Sequence, residues 1–138
     1  MVKTIYNEIV TKTTVQPQLL ATGVMVTGTS VDTKGYTDAC LVLSSGALGA
    51  GAITSLVAVV KGSDTINTAT AIDTDIMSTA ECTLTLTAVN DVDGLKIPLD
   101  EFPRYITPEI TFTGAAGGAT LMGACYIELS GKDVPVTW

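Results

Sequence analysis

The feature that most constrains this chain is a strict alternation of apolar residues with threonine. In 82–88, Cys82, Leu84, Leu86 and Ala88 alternate with Thr83, Thr85 and Thr87. Successive side chains of an extended strand point to opposite faces, so a period of two gives one apolar face and one hydroxyl face. Helical geometry cannot separate the two sets in this way. Threonine is also β-branched, which suits a pleated surface and costs rotamer freedom in a helix.

The same pattern returns late in the chain. Ile106, Ile110 and Phe112 alternate with Thr107, Glu109, Thr111 and Thr113. Beyond the glycine-rich 114–118, Ala119, Leu121, Cys125, Ile127 and Leu129 share one face, and Thr120, Tyr126 and Glu128 the other. Two alternating runs around a short glycine loop predict a β-hairpin. Pro108 removes a ladder donor, which predicts an edge strand or a bulge at that point. Further strands are expected over 19–27, with Gly23 as a bulge, and over 39–44 and 53–61. The unbroken apolar run 56–60 suits a strand buried on both faces or in an interface. Residues 46–51 read as a second hairpin loop, and 61–64 and 90–94 as turns. Over 66–80, strand plus loop fits better than helix, because threonine is frequent and no cap opens the segment.

About seven or eight short antiparallel strands follow, which predicts an all-β fold: a compact β-sandwich or jelly-roll-like barrel. The 138 residues suit one domain. Residues 1–18 lack a clean period and read as an N-terminal arm or first strand, ahead of a single β domain over 19–138. The opening Met1-Val2-Lys3-Thr4 does not resemble a secretory leader. The most apolar stretch, 46–60, is too short and too rich in glycine for a membrane span.

Charge and composition exclude several functions. The net charge is −7, with basic residues only at Lys3, Lys12, Lys34, Lys61, Lys96, Arg104 and Lys132. So few cations cannot neutralise a run of phosphates, and nucleic-acid binding is not expected. The chain has no histidine, the commonest general base and zinc ligand. Cys40, Cys82 and Cys125 are odd in number and lie in apolar segments, so they read as buried small hydrophobes. Asp73 with Asp75, and Asn90-Asp91 with Asp93, lack the remaining ligands of a calcium loop and read as solvated turns. The glycine runs lack the Lys-Ser/Thr of a phosphate loop, and no Gly-x-Ser-x-Gly elbow occurs. Aromatic content of 5% leaves little for a sugar platform. No catalytic residue, cofactor or metal is assigned, and an enzyme is not expected.

Arg104 is the single arginine, set in Phe102-Pro103-Arg104-Tyr105-Ile106. Two readings stand: a solvated strand-end charge beside an aromatic, or a bidentate partner for Asp32 or Asp38 that pins a loop to the sheet.

Ser30-Val31-Asp32-Thr33-Lys34-Gly35-Tyr36 resembles a Val-Asp-Thr-x-Gly-Tyr segment of small tailed-phage virion proteins. Arg104-Tyr105-Ile106, Thr111-Phe112-Thr113-Gly114, Tyr126 to Leu129 and Pro135 follow in the same order, and the resemblance spans most of 24–135. The chain departs from the pattern at Pro103, where a basic residue often precedes the Arg-Tyr. The resemblance implies a head decoration, or cement, protein on the capsid exterior, assembled in the host cytoplasm. Its partners would be the major capsid protein and further copies of itself, a trimer preferred to a dimer, with neither nucleic acid nor membrane. Asp32, Tyr36, Arg104 and Tyr105 become the candidate structural or interface residues. The alternatives are a tail or connector component of the virion and, behind it, a carbohydrate-binding module.

Overall fold

The computed structural model describes residues 9–63, 82–100, 102–115 and 117–131. The segment 66–80, with Asp73 and Asp75, lies outside the described residues. Among the described residues nine strands follow in order: β1 (Ile9–Ala21), β2 (Met25–Thr27), β3 (Val31–Asp32), β4 (Asp38–Ala50), β5 (Ile53–Ser63), β6 (Thr83–Leu86), β7 (Val92–Ile97), β8 (Tyr105–Gly114) and β9 (Thr120–Ser130). The protein is all-β, with no helix among the described residues.

Two antiparallel sheets face each other. One has the order β1-β9-β4-β7; the other has the order β2-β8-β5-β6, with β3 also on β8. If β2 and β3 count as one interrupted strand, the pairs β1/β9, β2-β3/β8, β4/β7 and β5/β6 are the rungs of one long hairpin. Wrapping that hairpin adds β4 to β9 and β5 to β8. This is the eight-stranded jelly roll, in which two Greek keys close one core.

Alternation places the core where the sequence predicts. Leu41, Leu43, Leu121, Ile127 and Leu129 of one sheet meet Leu56, Val60, Ile106, Ile110 and Phe112 of the other, all fully buried. Burying each such side chain contributes roughly 1.5–3 kcal/mol. The outer faces differ from each other. Around β8, the outward positions are Thr107, Glu109, Thr111 and Thr113, with Thr83 and Thr85 on β6. On β9 they are Met122, Ala124, Tyr126 and Glu128, beside Val42 and Ser44 of β4 and Val92 of β7.

Several local expectations are corrected. The runs around 114–118 are strands, but they do not form a hairpin: β8 lies in one sheet and β9 in the other. Residues 46–51 are no hairpin loop either. Gly46 and Gly49 lie inside β4, and the chain crosses between sheets at Gly51-Ala52. The reason is burial. Each strand has one apolar face, and crossing the sandwich lets two consecutive strands bury those faces against each other. Gly23 is likewise a corner between β1 and β2, not a bulge. Four crossings therefore stack at one end of the molecule, and each holds one left-handed residue: Gly23, Gly51, Asn90 and Gly118. Hydrogen bonds lock the first, second and last of them together: Thr22 N donates to Ala119 O (3.1 Å), Gly23 N to Phe112 O (2.8 Å) and Ala115 N to Ala52 O (2.9 Å).

Pro108 sits in a central strand, not an edge. Val60 N donates to Cys82 O, away from β8, so Val60 and Pro108 oppose each other without hydrogen bonds. The missing N–H of Pro108 therefore points towards β2 and β3. Gly28 N donates to Pro108 O there (2.8 Å), in the gap where the edge ribbon breaks in two. The run 56–60 is buried on its inner face, while Val57 and Val59 remain half-buried. The turn expected over 61–64 does not occur at 61–63, which belong to β5, and residue 64 lies outside the described residues. The turn expected over 90–94 closes by Asp91, and Asp93 and Gly94 belong to β7.

Candidate functional site

The candidate residues meet at the end opposite the stacked corners. β3 lies antiparallel on the start of β8, with Asp32 opposite Tyr105 and Val31 opposite Ile106. That register carries the Asp32 carboxylate to the neighbouring Arg104. The guanidinium grips it bidentately, Nε donating to Oδ1 at 2.8 Å and Nη2 to Oδ2 at 2.7 Å. The two sequence readings for Arg104 both describe it: the guanidinium is solvent-exposed beside Tyr105, and it is also a bidentate partner, of Asp32 rather than Asp38. Asp38 instead accepts from the hydroxyl of Thr37 at 3.2 Å.

Backbone contacts fix the same corner. Arg104 O accepts from both Thr33 N (2.9 Å) and Thr33 Oγ1 (2.6 Å). Tyr36 N closes a turn on Thr33 O (3.0 Å), and Gly35 takes the φ of +85° that the turn needs at its third residue. Lys34 N donates to Asp32 Oδ1 at 3.0 Å. The Arg104 hydrogen bonds, helped by Lys34, lower the Asp32 pKa to about 2 from its ordinary 3.8. Arg104 also lies 5.0 Å from the Tyr105 ring centroid. Tyr36 seats against Gly131, where an added Cβ would come within 2.9 Å of Gly35 O and the tyrosine. Asp32, Arg104 and Tyr105 are thus one contact cluster, with Tyr36 one turn away.

Beside this corner a cleft of about 450 Å³ runs between the two sheet edges, lined by Lys12, Thr13, Thr29, Ser30, Val31, Asp32, Lys34 and Tyr36. Thr29 N donates to Thr14 O (2.8 Å), and Thr14 Oγ1 to Cys125 O (2.8 Å), which ties the β2–β3 link across a bulge of β1. Ser30 Oγ is hydrogen-bonded to Thr107 Oγ1 (2.7 Å). The sequence reading missed Lys12, Thr13 and Thr29. Lys34 lies inside the quoted 30–36 segment, but no local signal links it to Lys12.

A second hollow of about 410 Å³ is lined by Cys40, Lys96 and Glu128 among others. Burial and the Glu128 charge raise the Cys40 thiol pKa, and burial pushes Cys125 up to about 11. Both therefore stay protonated, which is a poor state for a nucleophile or a metal ligand. Among the described residues, no three His, Cys, Asp or Glu gather as a metal site. Asp91 and Asp93 spend one carboxylate oxygen each on the following amide, at 2.9 and 2.8 Å.

No protein-family model matches the chain, and no curated protein matches it in sequence. Its backbone is similar to a chain in the structure of infectious bursal disease virus, Gx strain, with a TM-score of 0.49 and 14% identity over 94% of this chain and 33% of that one. The corresponding chain of the Gt strain gives 0.46 and 15%, over 98% and 34%. The Tobacco streak virus coat protein gives 0.39 and 11%, over 99% and 95%. The chain spans about a third of the length of the bursal disease virus chains. None of these three names refers to a tailed phage, and likenesses of this size establish neither ancestry nor activity.

Proposed function

We propose that this chain is a structural virion protein that binds the outside of a tailed-phage capsid and stabilises it. The observation that carries the reading is the wrapped eight-strand topology with charge-poor outer faces. Jelly rolls of this kind build viral capsid domains, lectins and cupins, and fold alone does not choose among them. The surface favours the first. Val42, Ser44, Val92 and Met122 line the outside of one sheet, with its charge confined to Glu128 and Lys96 towards one end, so there is little charge to desolvate on docking. The resemblance of 30–36, 104–106 and 111–114 to small tailed-phage virion proteins supports the same assignment. Its Asp and Arg are the two residues that grip each other at the corner. In this reading the corner holds an edge of the sandwich rigid for contact with the shell. The protein acts by binding, without catalysis, and copies form a closed oligomer, a trimer in preference to a dimer.

Mass spectrometry of purified virions tests this. The protein should be present in a copy number tied to the shell lattice, and purified protein should rebind stripped capsids saturably. Absence from virions would overturn the reading. Immunogold labelling confined to tails would replace it with a tail or connector role.

A further inference from the structure

The two edges of the sandwich are unlike in charge. β1 and β7 are the opposite edges of one sheet. At the β1 side, the cleft presents Lys12 and Lys34 in a chain of net charge −7. Its single acid, Asp32, is already held by Arg104, and neither lysine carries an ion pair among the described residues. At the β7 side stand Asp91 and Asp93, flanking Val92, which at 60% is the most exposed large apolar side chain described. Each aspartate has one oxygen accepting from the amide of the next residue, leaving the other available. Lys96, the one basic residue of β7, lies at the far end of that strand and opposite Cys40 in the register.

We infer that the Lys12–Lys34 cleft of one copy receives the Asp91–Val92–Asp93 edge of a second copy. The two ammonium groups meet the carboxylates of Asp91 and Asp93, which alternation puts on the face of the edge opposite Val92, and Val92 stays at the rim of the contact. Lysine heads on flexible stems can reach two carboxylates presented along one strand edge, so such a cleft accepts the acidic side of that edge. Because the two patches lie on opposite edges, the contact is head-to-tail. Such a contact repeats and closes into a ring when its rotation permits. This rests on the reading of the chain as a multi-copy virion component, and it names the surface through which the copies meet.

Charge exchange tests it in the full-length protein. Wild type should associate in sedimentation velocity, and more weakly as salt rises. K12E/K34E and D91K/D93K should each weaken association at least about tenfold, since like charges then face each other. The quadruple variant K12E/K34E/D91K/D93K keeps the net charge of −7 and should associate as wild type does. Circular dichroism on every variant separates lost contact from lost fold. A monomeric wild type, or a folded quadruple variant that fails to recover, overturns the inference. Virion incorporation measured in parallel keeps that failure distinct from failure of the capsid reading.

Discussion

Asp32 and Arg104 stand 72 positions apart and are joined by two short charge-assisted hydrogen bonds. The folded pKa of Asp32 is the depressed one, so its carboxylate favours the fold above the ordinary value. That contribution fades as pH falls from 3.8 through about 2. Carboxyl-carbon NMR should therefore place the Asp32 midpoint near 2 in wild type, and R104Q should return it towards 3.8. A midpoint unchanged by R104Q would mean that the pair does not form in solution. The thiols give a second test at this scale. With Cys82 and Cys125 buried and Cys40 half-buried, a neutral-pH alkylating reagent should label Cys40 first in the native protein. Mass mapping would show it. Phe112 is fully buried near the C-terminal end of β8, and Phe112→Ala should destabilise by about 3–5 kcal/mol in urea titration.

At the scale of elements, the decisive parts are the corners. Gly114 has no room for a side chain, because an added Cβ would collide with that of Ala119. Gly51 meets the same methyl at 2.7 Å and also holds a φ of +74°. G114A and G51A should each cost about 1–3 kcal/mol. Adding A119G should recover part of the loss in G114A and much less in G51A, where the left-handed backbone still opposes a side chain. Equal recovery in both would remove backbone strain from the account. The strands themselves were legible: the faces expected for β6, β8 and β9 are the faces that are buried, except that β6 stops at Leu86 and Ala88, expected on its apolar face, lies beyond it and is exposed. The corners were misread because a glycine run between alternating segments has the same local signature whether the chain folds back in one sheet or crosses to the other. Pro108 was misread for a related reason. A missing donor forbids one ladder bond, and it does not say on which side of the strand that bond would have been.

For the whole molecule, the wrapped hairpin sets the folding problem. Among the described strands, only β5 and β6 pair with their neighbour in sequence; every other pair joins a strand from the first half to one from the second, or reaches over several elements. Loop closure must precede most native contacts, so refolding should take milliseconds to seconds, as stopped-flow fluorescence of the tyrosines would record. Relaxation in microseconds would contradict this topology. The candidate site belongs to the same scale. Asp32, Tyr36, Arg104 and Tyr105 were named from sequence, and the pairing of β3 with β8 brings Asp32 and Arg104 together. Lys12 joins them only because β1 and the β2–β3 link lie on the same side of the sandwich.

The sequence alone determined that the chain is built of strands and which side chains face inward, because a period of two is written into neighbouring residues. It also determined the poverty of charge and the absence of histidine, which narrow the chemistry. The tertiary structure decided which strand pairs with which, where the chain crosses between sheets, and that Arg104 takes Asp32. Those depend on how two apolar faces find each other in space, and alternation along one strand carries no information about its partner.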